Sequence, residues 1–166
     1  MTINLSENLI EIEKYLDKYK NKTLSHFIGG DEVMSLSGST FENYSPVNNE
    51  KIGSVASGSE EDIELACDIA KNVSDEWRKT SGKIKQKLLH KIADGIEKRA
   101  REIAIVESYD SGQAIRFMSK AAIRSAANFR FFADMAPNAC DGKALPADEH
   151  LNYSIRQPIG PVGVIT

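Results

Sequence analysis

The sequence predicts an α/β fold in which an N-terminal helix is followed by short strands and then by further helices, and an extended pair ends the chain. Residues 26–57 consist of short β-type runs separated by Gly, Asn, Ser and Pro. Residues 59–136 carry apolar side chains at helical spacing. Residues 151–165 return to extended patterns. A chain of 166 residues is long enough for one ordinary domain with its own core.

Composition and charge exclude several classes of protein. The formal net charge is −3 and no basic tract stands out, which argues against a nucleic-acid partner. No apolar run approaches the ~20 residues that cross a bilayer, and no secretory signal is visible at the N-terminus, so no membrane partner is expected. Cys67 and Cys140 lie outside any CxxC pattern. This cysteine usage is typical of a reducing compartment and predicts a cytoplasmic protein.

The first predicted element is an amphipathic helix over residues 3–20. Its apolar face is formed by Leu5, Leu9, Ile12, Leu16 and Tyr19. The helix could dock onto a partner protein, or it could pack on its own domain. We favour packing on its own domain.

A small sheet or set of hairpins follows over residues 26–57. Gly29-Gly30 follows an apolar segment but opens no helix, so the pair indicates a turn and not a dinucleotide-binding loop. Asn48-Asn49 suits a tight turn that needs a positive φ.

Three further helical segments are predicted. Ser59 before three acidic residues is typical of a capping box at a helix start. Cys67 belongs to the apolar stripe of the helix that follows, so it is predicted to be a small buried core residue. After the break at Ser81-Gly82, one stripe runs from Ile84 to Ile103, and Gly112 closes the region in a left-handed conformation. The last helix runs from residue 114 to residue 136 and is stopped by Pro137. Its predicted inward residues are Ile115, Met118, Ala122, Ala126, Phe129, Phe132 and Ala133.

The chain ends on two extended patterns. Leu151, Tyr153 and Ile155 alternate with polar residues, as in a half-buried strand, and Val162–Ile165 is a short apolar run. A buried strand needs neighbours on the sheet, and none follows. We therefore expect the chain to be the front part of a larger protein.

The residues by themselves offer no convincing catalytic group. Neither cysteine has a nearby histidine or basic cluster in sequence, and Asp110-Ser111-Gly112 indicates a turn at a helix end and not an activated hydroxyl. The three histidines are widely separated, so a metal site held by side chains is not expected.

Taken together, several segments resemble the N-terminal portion of the NAD(P)-dependent aldehyde dehydrogenase superfamily. HFIGG resembles its opening strand, and TFENYSPVNNEKIGSV resembles its NPATGE-xIAxV hairpin. KIADGIEKRAREIAIVESYDSGQAI resembles a helix pair of the family, NFRFFAD its FRYYA helix, and LNYSIRQPIGPVGVIT the strand that enters YxxxEPxGVVGxI. The segments NFRFFAD and LNYSIRQPIGPVGVIT look most like those of hydroxymuconate semialdehyde dehydrogenases.

The resemblance implies how the chain is organised. Residues 1–22 would be an extra N-terminal amphipathic helix and residues 23–143 the N-terminal part of the nucleotide-binding domain. Residues 144–160 would form an oligomerisation or bridging strand, and residues 161–166 would start the first Rossmann-like strand. The fold expected is thus the helical and hairpin part of that domain, truncated before the main parallel sheet.

The resemblance also implies the chemistry of a parent enzyme, which oxidises an aldehyde or semialdehyde to the carboxylic acid through a Cys thioester with NAD or NADP. The family's catalytic and nucleotide-contacting motifs match no residue of this chain. We therefore expect no catalytic residue and no cofactor-binding residue in it. No tightly bound cofactor is expected on this chain, which alone is expected to be inactive. A monovalent cation could be held by backbone oxygens of Asn43, Tyr44 and Asp110.

The expected partners are the missing C-terminal part of the enzyme or sister subunits, with a small aldehyde as the substrate of the parent. The rival hypothesis is a non-catalytic interaction module that pairs with another subunit, because unpaired strand edges tend to pair with other chains.

Overall fold

The computed structural model describes residues 5–20 and 22–165, and within them it forms five α-helices and seven short strands. The helices are α1 (Leu5–Leu16), α2 (Glu60–Lys79), α3 (Gly82–Lys98), α4 (Ala100–Ser111) and α5 (Ile115–Met135). The strands are β1 (Thr23–Leu24), β2 (His26–Ile28), β3 (Asp31–Val33), β4 (Thr40–Tyr44), β5 (Lys51–Ala56), β6 (Ala144–Leu145) and β7 (Asn152–Tyr153). The α/β class and the order of strands, helices and extended end are as predicted.

The strands form three separate small sheets. β5 is the central strand of one sheet, with β1 parallel on one side and β4 antiparallel on the other. β2 and β3 make a hairpin around Gly29 and Gly30, both at positive φ, which confirms the predicted turn. Asn49 has φ 59°, as predicted for the turn between β4 and β5. β6 and β7 make a second, exposed hairpin.

The N-terminal helix packs on its own domain. Ile12 and Leu16 of α1 join Ile52 of β5 and Ile105 and Tyr109 of α4 in one buried cluster. Among the residues described, α1 ends at Leu16, earlier than residue 20, and the first two residues of the predicted range lie outside the description. The packing agrees with the favoured interpretation of this helix.

Hydrogen-bonded charges fasten α1 to α4 at the rim of this cluster. The Arg101 guanidinium donates to Asn8 Oδ1 at 2.6 Å and to Glu11 Oε2 at 2.7 Å. The Glu102 carboxylate accepts hydrogen bonds from Arg99 Nε at 2.9 Å and from Lys18 Nζ at 3.1 Å. Donation by Arg99 is the main reason that the pKa of Glu102 falls to about 2.

The lowered pKa of Glu102 predicts a pH-dependent contribution to stability. The folded-state pKa lies below the ordinary value, so the contribution is present above about pH 4.5 and is lost as pH falls toward about 2. Because Arg99 is largely exposed, we expect Glu102→Gln to cost only about 1 kcal/mol at pH 7. The free energy of unfolding of both proteins is measured by urea titration at several pH values between 7 and 3. Glu107→Gln on the same helix is the control, and a cost for Glu102→Gln that does not change with pH would contradict the assignment.

Small side chains let α3, α4 and α5 pack closely. The helices meet at alanines that are almost fully buried, namely Ala93, Ala104, Ala122, Ala126 and Ala133. The α3–α5 contact is bordered by Arg130, which donates to Asp94 Oδ1 at 2.8 Å, and by His90, which lies 2.9 Å from Asp134 Oδ1. The prediction of one continuous apolar helix face from Ile84 to Ile103 is wrong in one respect. Arg99, with φ −106° and ψ 12°, interrupts it, and α4 starts anew at Ala100.

The start of α2 is fastened by the predicted capping box. Ser59 N donates to Asp62 Oδ2 at 2.8 Å, and Asp62 N donates to Ser59 Oγ at 3.3 Å. The buried carboxylate of Asp62 also accepts hydrogen bonds from Leu36 N at 2.9 Å and from Ser35 Oγ at 2.7 Å. The backbone donors, that of Leu36 first, hold the pKa of Asp62 far below its ordinary value. Asp62 therefore joins the loop after β3 to the start of α2.

Several predicted core positions are exposed instead. Cys67 is exposed, and so are Ile63, Trp77 and Phe132, with 64%, 48% and 61% of their surface accessible. Their apolar faces were predicted correctly, but these side chains remain largely exposed in the structure. The prediction that Cys67 is a buried core residue is therefore wrong for this structure.

The chain end is also less regular than predicted. Only Asn152–Tyr153 of the alternating segment is a strand, and its residues are exposed, so a half-buried strand over residues 151–156 is wrong. Residues 162–165 form no strand with the described residues, because a strand needs the N–H and C=O groups of a neighbour. The division at residues 22, 143 and 160 stays a prediction.

Candidate functional site

The predicted cation-binding residues lie where the end of β4 meets the end of α4. Asn43 and Tyr44 close β4, and Asp110 belongs to the last turn of α4. The pairing of β4 with β5 shifts register between Asn43 and Tyr44. Such a bulge turns the backbone locally, and here it lies beside the helix end. Asn43 Nδ2 donates to Asp110 Oδ1 at 2.6 Å, so the structure brings two of the three predicted residues into contact.

Ser45 connects the turn after β4 to the same helix end. The residue is fully buried, and its Oγ donates to the backbone oxygen of Tyr109 at 2.6 Å. Ser45 Oγ also accepts from Val47 N at 3.2 Å, which shapes the turn. Sequence reasoning missed Ser45. The only local signal was a Ser-Pro pair, which favours the start of a turn but does not reveal a contact 64 residues away.

Tyr109 holds the other side of the turn. Its ring belongs to the core cluster, while its hydroxyl accepts from Asn48 Nδ2 at 3.0 Å. Asn48 Oδ1 in turn accepts from Glu50 N at 3.1 Å. The turn between β4 and β5 is therefore held by both a buried serine and a buried tyrosine.

Gly112 ends α4 at this site as predicted. Its φ is 76°, and its N–H donates to Ser108 O at 3.0 Å. A Cβ on Gly112 would lie 3.0 Å from Pro46 Cγ, so the glycine also lets the turn approach the helix end. Ser111 Oγ donates to Glu107 O at 2.6 Å, which agrees with its interpretation as a turn residue.

The arrangement offers oxygen atoms and negative potential. The last carbonyls of a helix lack intrahelical donors and carry the negative end of the helix dipole. Asp110 adds a carboxylate at that end, and its contact with Asn43 places it beside the end of β4. Oxygen ligands suit hard cations, so backbone oxygens gathered at this place would suit a hard cation better than a transition metal.

The other candidate groups are dispersed. Cys140, like Cys67, is exposed and unpaired with another cysteine. His26 Nε2 lies 3.6 Å from the Asp62 carboxylate, and His90 lies 2.9 Å from Asp134, so each histidine has its own carboxylate partner. Among residues 5–20 and 22–165, no group of three or more His, Cys, Asp or Glu could hold a metal ion. No helix formed by those same residues is long and apolar enough to cross a membrane.

Comparison with known proteins assigns the scaffold to a class. The model of the aldehyde dehydrogenase family matches residues 33–166. Aldehyde dehydrogenase 1 of Tanacetum cinerariifolium is 38% identical over 152 residues, which cover 89% of this chain and 30% of that protein. 2-Hydroxymuconic semialdehyde dehydrogenase of Pseudomonas sp. (strain CF600) is 34% identical over 151 residues, covering 87% of this chain and 31% of that protein.

Solved structures agree with the sequence comparison. HpcC from Thermus thermophilus superposes with a TM-score of 0.85 at 35% identity, over 91% of this chain and 30% of HpcC. PnpE, solved in complex with nicotinamide adenine dinucleotide, gives a TM-score of 0.76 at 34% identity, over 81% of this chain and 28% of PnpE.

The fold is that of the N-terminal part of a nucleotide-binding domain, and the chain belongs to the aldehyde dehydrogenase family. It spans about 30% of the length of the relatives it matches. The resemblance recognised in the sequence is thereby confirmed, including the likeness to a 2-hydroxymuconic semialdehyde dehydrogenase.

Proposed function

We propose that this chain is the N-terminal scaffold of an NAD-dependent aldehyde dehydrogenase that oxidises an aldehyde or semialdehyde to the carboxylic acid. The observation that carries the proposal is the superposition on HpcC over 91% of the chain at a TM-score of 0.85. NAD is favoured as the hydride acceptor because the similar PnpE structure contains it. A semialdehyde substrate is favoured by the likeness to 2-hydroxymuconic semialdehyde dehydrogenase.

The described residues supply scaffold to this reaction. The buried cluster around Tyr109 and the capped start of α2 hold the helices in the arrangement that the family uses. We assign no residue of this chain to the thioester chemistry or to contact with NAD. The exposed faces of α2 and α5 leave room for the further segments that the longer relatives possess. Two free cysteines agree with a cytoplasmic enzyme.

A chimaera tests the proposal directly. The N-terminal part of Thermus HpcC that corresponds to this chain is replaced by residues 5–165, and NADH formation from a semialdehyde is followed by absorbance. We expect NADH formation by the chimaera and none by the 166-residue chain alone.

Two controls decide the interpretation of the chimaera experiment. A chimaera whose insert carries Gly82→Ala, which forces a Cβ against the backbone after α5, should be less stable and lose activity at a lower temperature than the parent chimaera. A folded chimaera without activity would contradict the scaffold role, and NADH formation by the isolated chain would show that it contains catalytic groups of its own.

We further propose that the end of α4 and the end of β4 bind a monovalent cation through backbone oxygens of Asn43, Tyr44 and Asp110. Potassium is expected to raise the midpoint of thermal unfolding relative to tetramethylammonium at equal ionic strength. At ten times the dissociation constant the gain would be about 1.4 kcal/mol.

The Asp110→Asn variant should reduce this potassium effect, because it removes the charge closest to the oxygens. Asp68→Asn, an equal charge change on the exposed surface of α2, should leave it unchanged. Equal responses of the two variants would indicate general screening and not a site.

The alternative function is a non-catalytic module that pairs with another subunit through the hairpin arm of residues 144–160. The observation in its favour is the exposure of apolar side chains there, including Leu151, Tyr153 and Ile155. Sedimentation of the chain over a wide concentration range distinguishes this pairing module from the enzyme scaffold. Self-association that is abolished by Tyr153→Ser supports pairing, and a monomer at all concentrations argues against it.

A further inference from the structure

A lysine-lined cleft lies on the side of the small sheet formed by the start of β1 and the first half of β5. Its volume is about 440 Å³. The described residues that line it are Lys20, Lys22, Thr23, Lys51, Ile52, Gly53 and Ser54. Three of them are lysines and none is acidic. This concentration of positive charge stands out in a chain whose formal net charge is −3.

The backbone explains why the cleft is open and why its polar groups meet. Thr23 and Ser54 are partners in the parallel register of β1 and β5, so their side chains leave the sheet on the same face. Gly53 contributes no side chain to the floor, and a Cβ there would lie 3.2 Å from Tyr19 O. The absence of a side chain lets the segment before β1 lie close to β5, and Lys20 and Lys22 of that segment line the same cleft as Lys51.

Two of the three ammonium groups are already oriented by carboxylates. Lys51 Nζ donates to Glu42 Oε1 at 2.6 Å, and Lys20 Nζ donates to Glu13. Each bond raises the pKa of its lysine, so both remain charged at neutral pH. An ammonium has three donors, so each of these lysines keeps N–H groups for a further acceptor. Lys22 also lines the cleft.

We propose that this cleft binds a phosphate group, held by the three ammonium groups and by the hydroxyls of Thr23 and Ser54. A phosphate has several acceptor oxygens, so it can accept from the N–H groups that Lys20 and Lys51 do not give to Glu13 and Glu42, from Lys22 and from the two hydroxyls. Lys51 and Gly53 of the cleft are the register partners of Tyr44 and Asn43 on β4, and the proposed dehydrogenase role does not require phosphate binding in the cleft.

The test uses the 166-residue chain and inorganic phosphate as the probe. Backbone amide signals are followed by NMR during a phosphate titration at constant ionic strength, with chloride as the balancing anion. We expect saturable shifts confined to residues 22–24 and 51–55. Lys22→Gln should weaken the apparent affinity roughly three- to fivefold, since an exposed charge contact is worth no more than about that factor.

Matched variants separate a site from general electrostatics. Lys83→Gln removes the same charge from the exposed start of α3 and should leave the affinity unchanged. Ser54→Ala removes one hydroxyl without a change of charge and should weaken binding, while circular dichroism shows that the fold is intact. Shifts that chloride reproduces, or equal losses in Lys22→Gln and Lys83→Gln, would overturn the proposal.

Discussion

Gly82→Ala is expected to destabilise the chain by about 2–3 kcal/mol, the range of strongly overpacked substitutions. Gly82 is the first residue of α3, where the helix start meets the chain after α5. A Cβ on Gly82 would lie 2.4 Å from Ala136 O and 2.7 Å from Pro137 Cα. Both are backbone atoms, which cannot rotate away, so α3 or the end of α5 must move. Urea unfolding followed by circular dichroism measures the cost.

Gly95→Ala is the matched control on the same helix. No atom lies within 4 Å of its ideal Cβ, so the added methyl group meets open space. Alanine has the higher helix propensity, and we expect a gain of about 0.5–1 kcal/mol. Opposite signs for the two substitutions confirm the contact of α3 with the end of α5, and equal effects would refute it.

Leu16→Ala is expected to cost about 2–4 kcal/mol, as for other buried leucines reduced to alanine. Leu16 is 3% exposed and belongs to the cluster shared by α1, β5 and α4. Its removal leaves a void between the N-terminal helix and the sheet. The midpoint and slope of urea unfolding give the loss, and an unchanged slope indicates that the cost arises in the folded state.

Ile10→Ala on the same helix controls for helix propensity and loss of apolar surface. Ile10 is 65% exposed, so its replacement should change the free energy of unfolding by less than about 0.5 kcal/mol. If Leu16→Ala were as mild as Ile10→Ala, α1 would not be part of the core, and the interpretation as a docking helix for a partner would regain support.

Local chemistry made several ends of the helices predictable. Ser59 and Asp62 form the capping box of α2, and Gly112 closes α4 at φ 76°, both as predicted. The predicted break at Ser81-Gly82 is the boundary at which Ser81 caps α3. Each of these signals depends on residues within a few positions of one another, so a sequence contains the whole of it. The apolar periodicity did not show the break at Arg99, because no glycine or proline marks it, whereas the family resemblance implied a helix pair there.

The candidate site was predictable only in part. Asn43, Tyr44 and Asp110 came from the family resemblance, and the structure brings Asn43 and Asp110 within 2.6 Å. The buried bond from Ser45 Oγ to Tyr109 O was not foreseen. A serine beside a proline looks the same in any exposed turn, and only the approach of the turn to α4 gives it a buried partner.

The sequence by itself determined the family, the order of the elements and the amphipathic character of each helix, because motifs and apolar periodicity are properties of the chain. Only the tertiary structure decided which apolar faces are covered. Ile12, Leu16 and Ala126 are buried, whereas Ile63 and Cys67 lie exposed on an equally apolar stripe of α2. Burial depends on which other element lies opposite a face, and that partner is brought there by contacts distant in sequence.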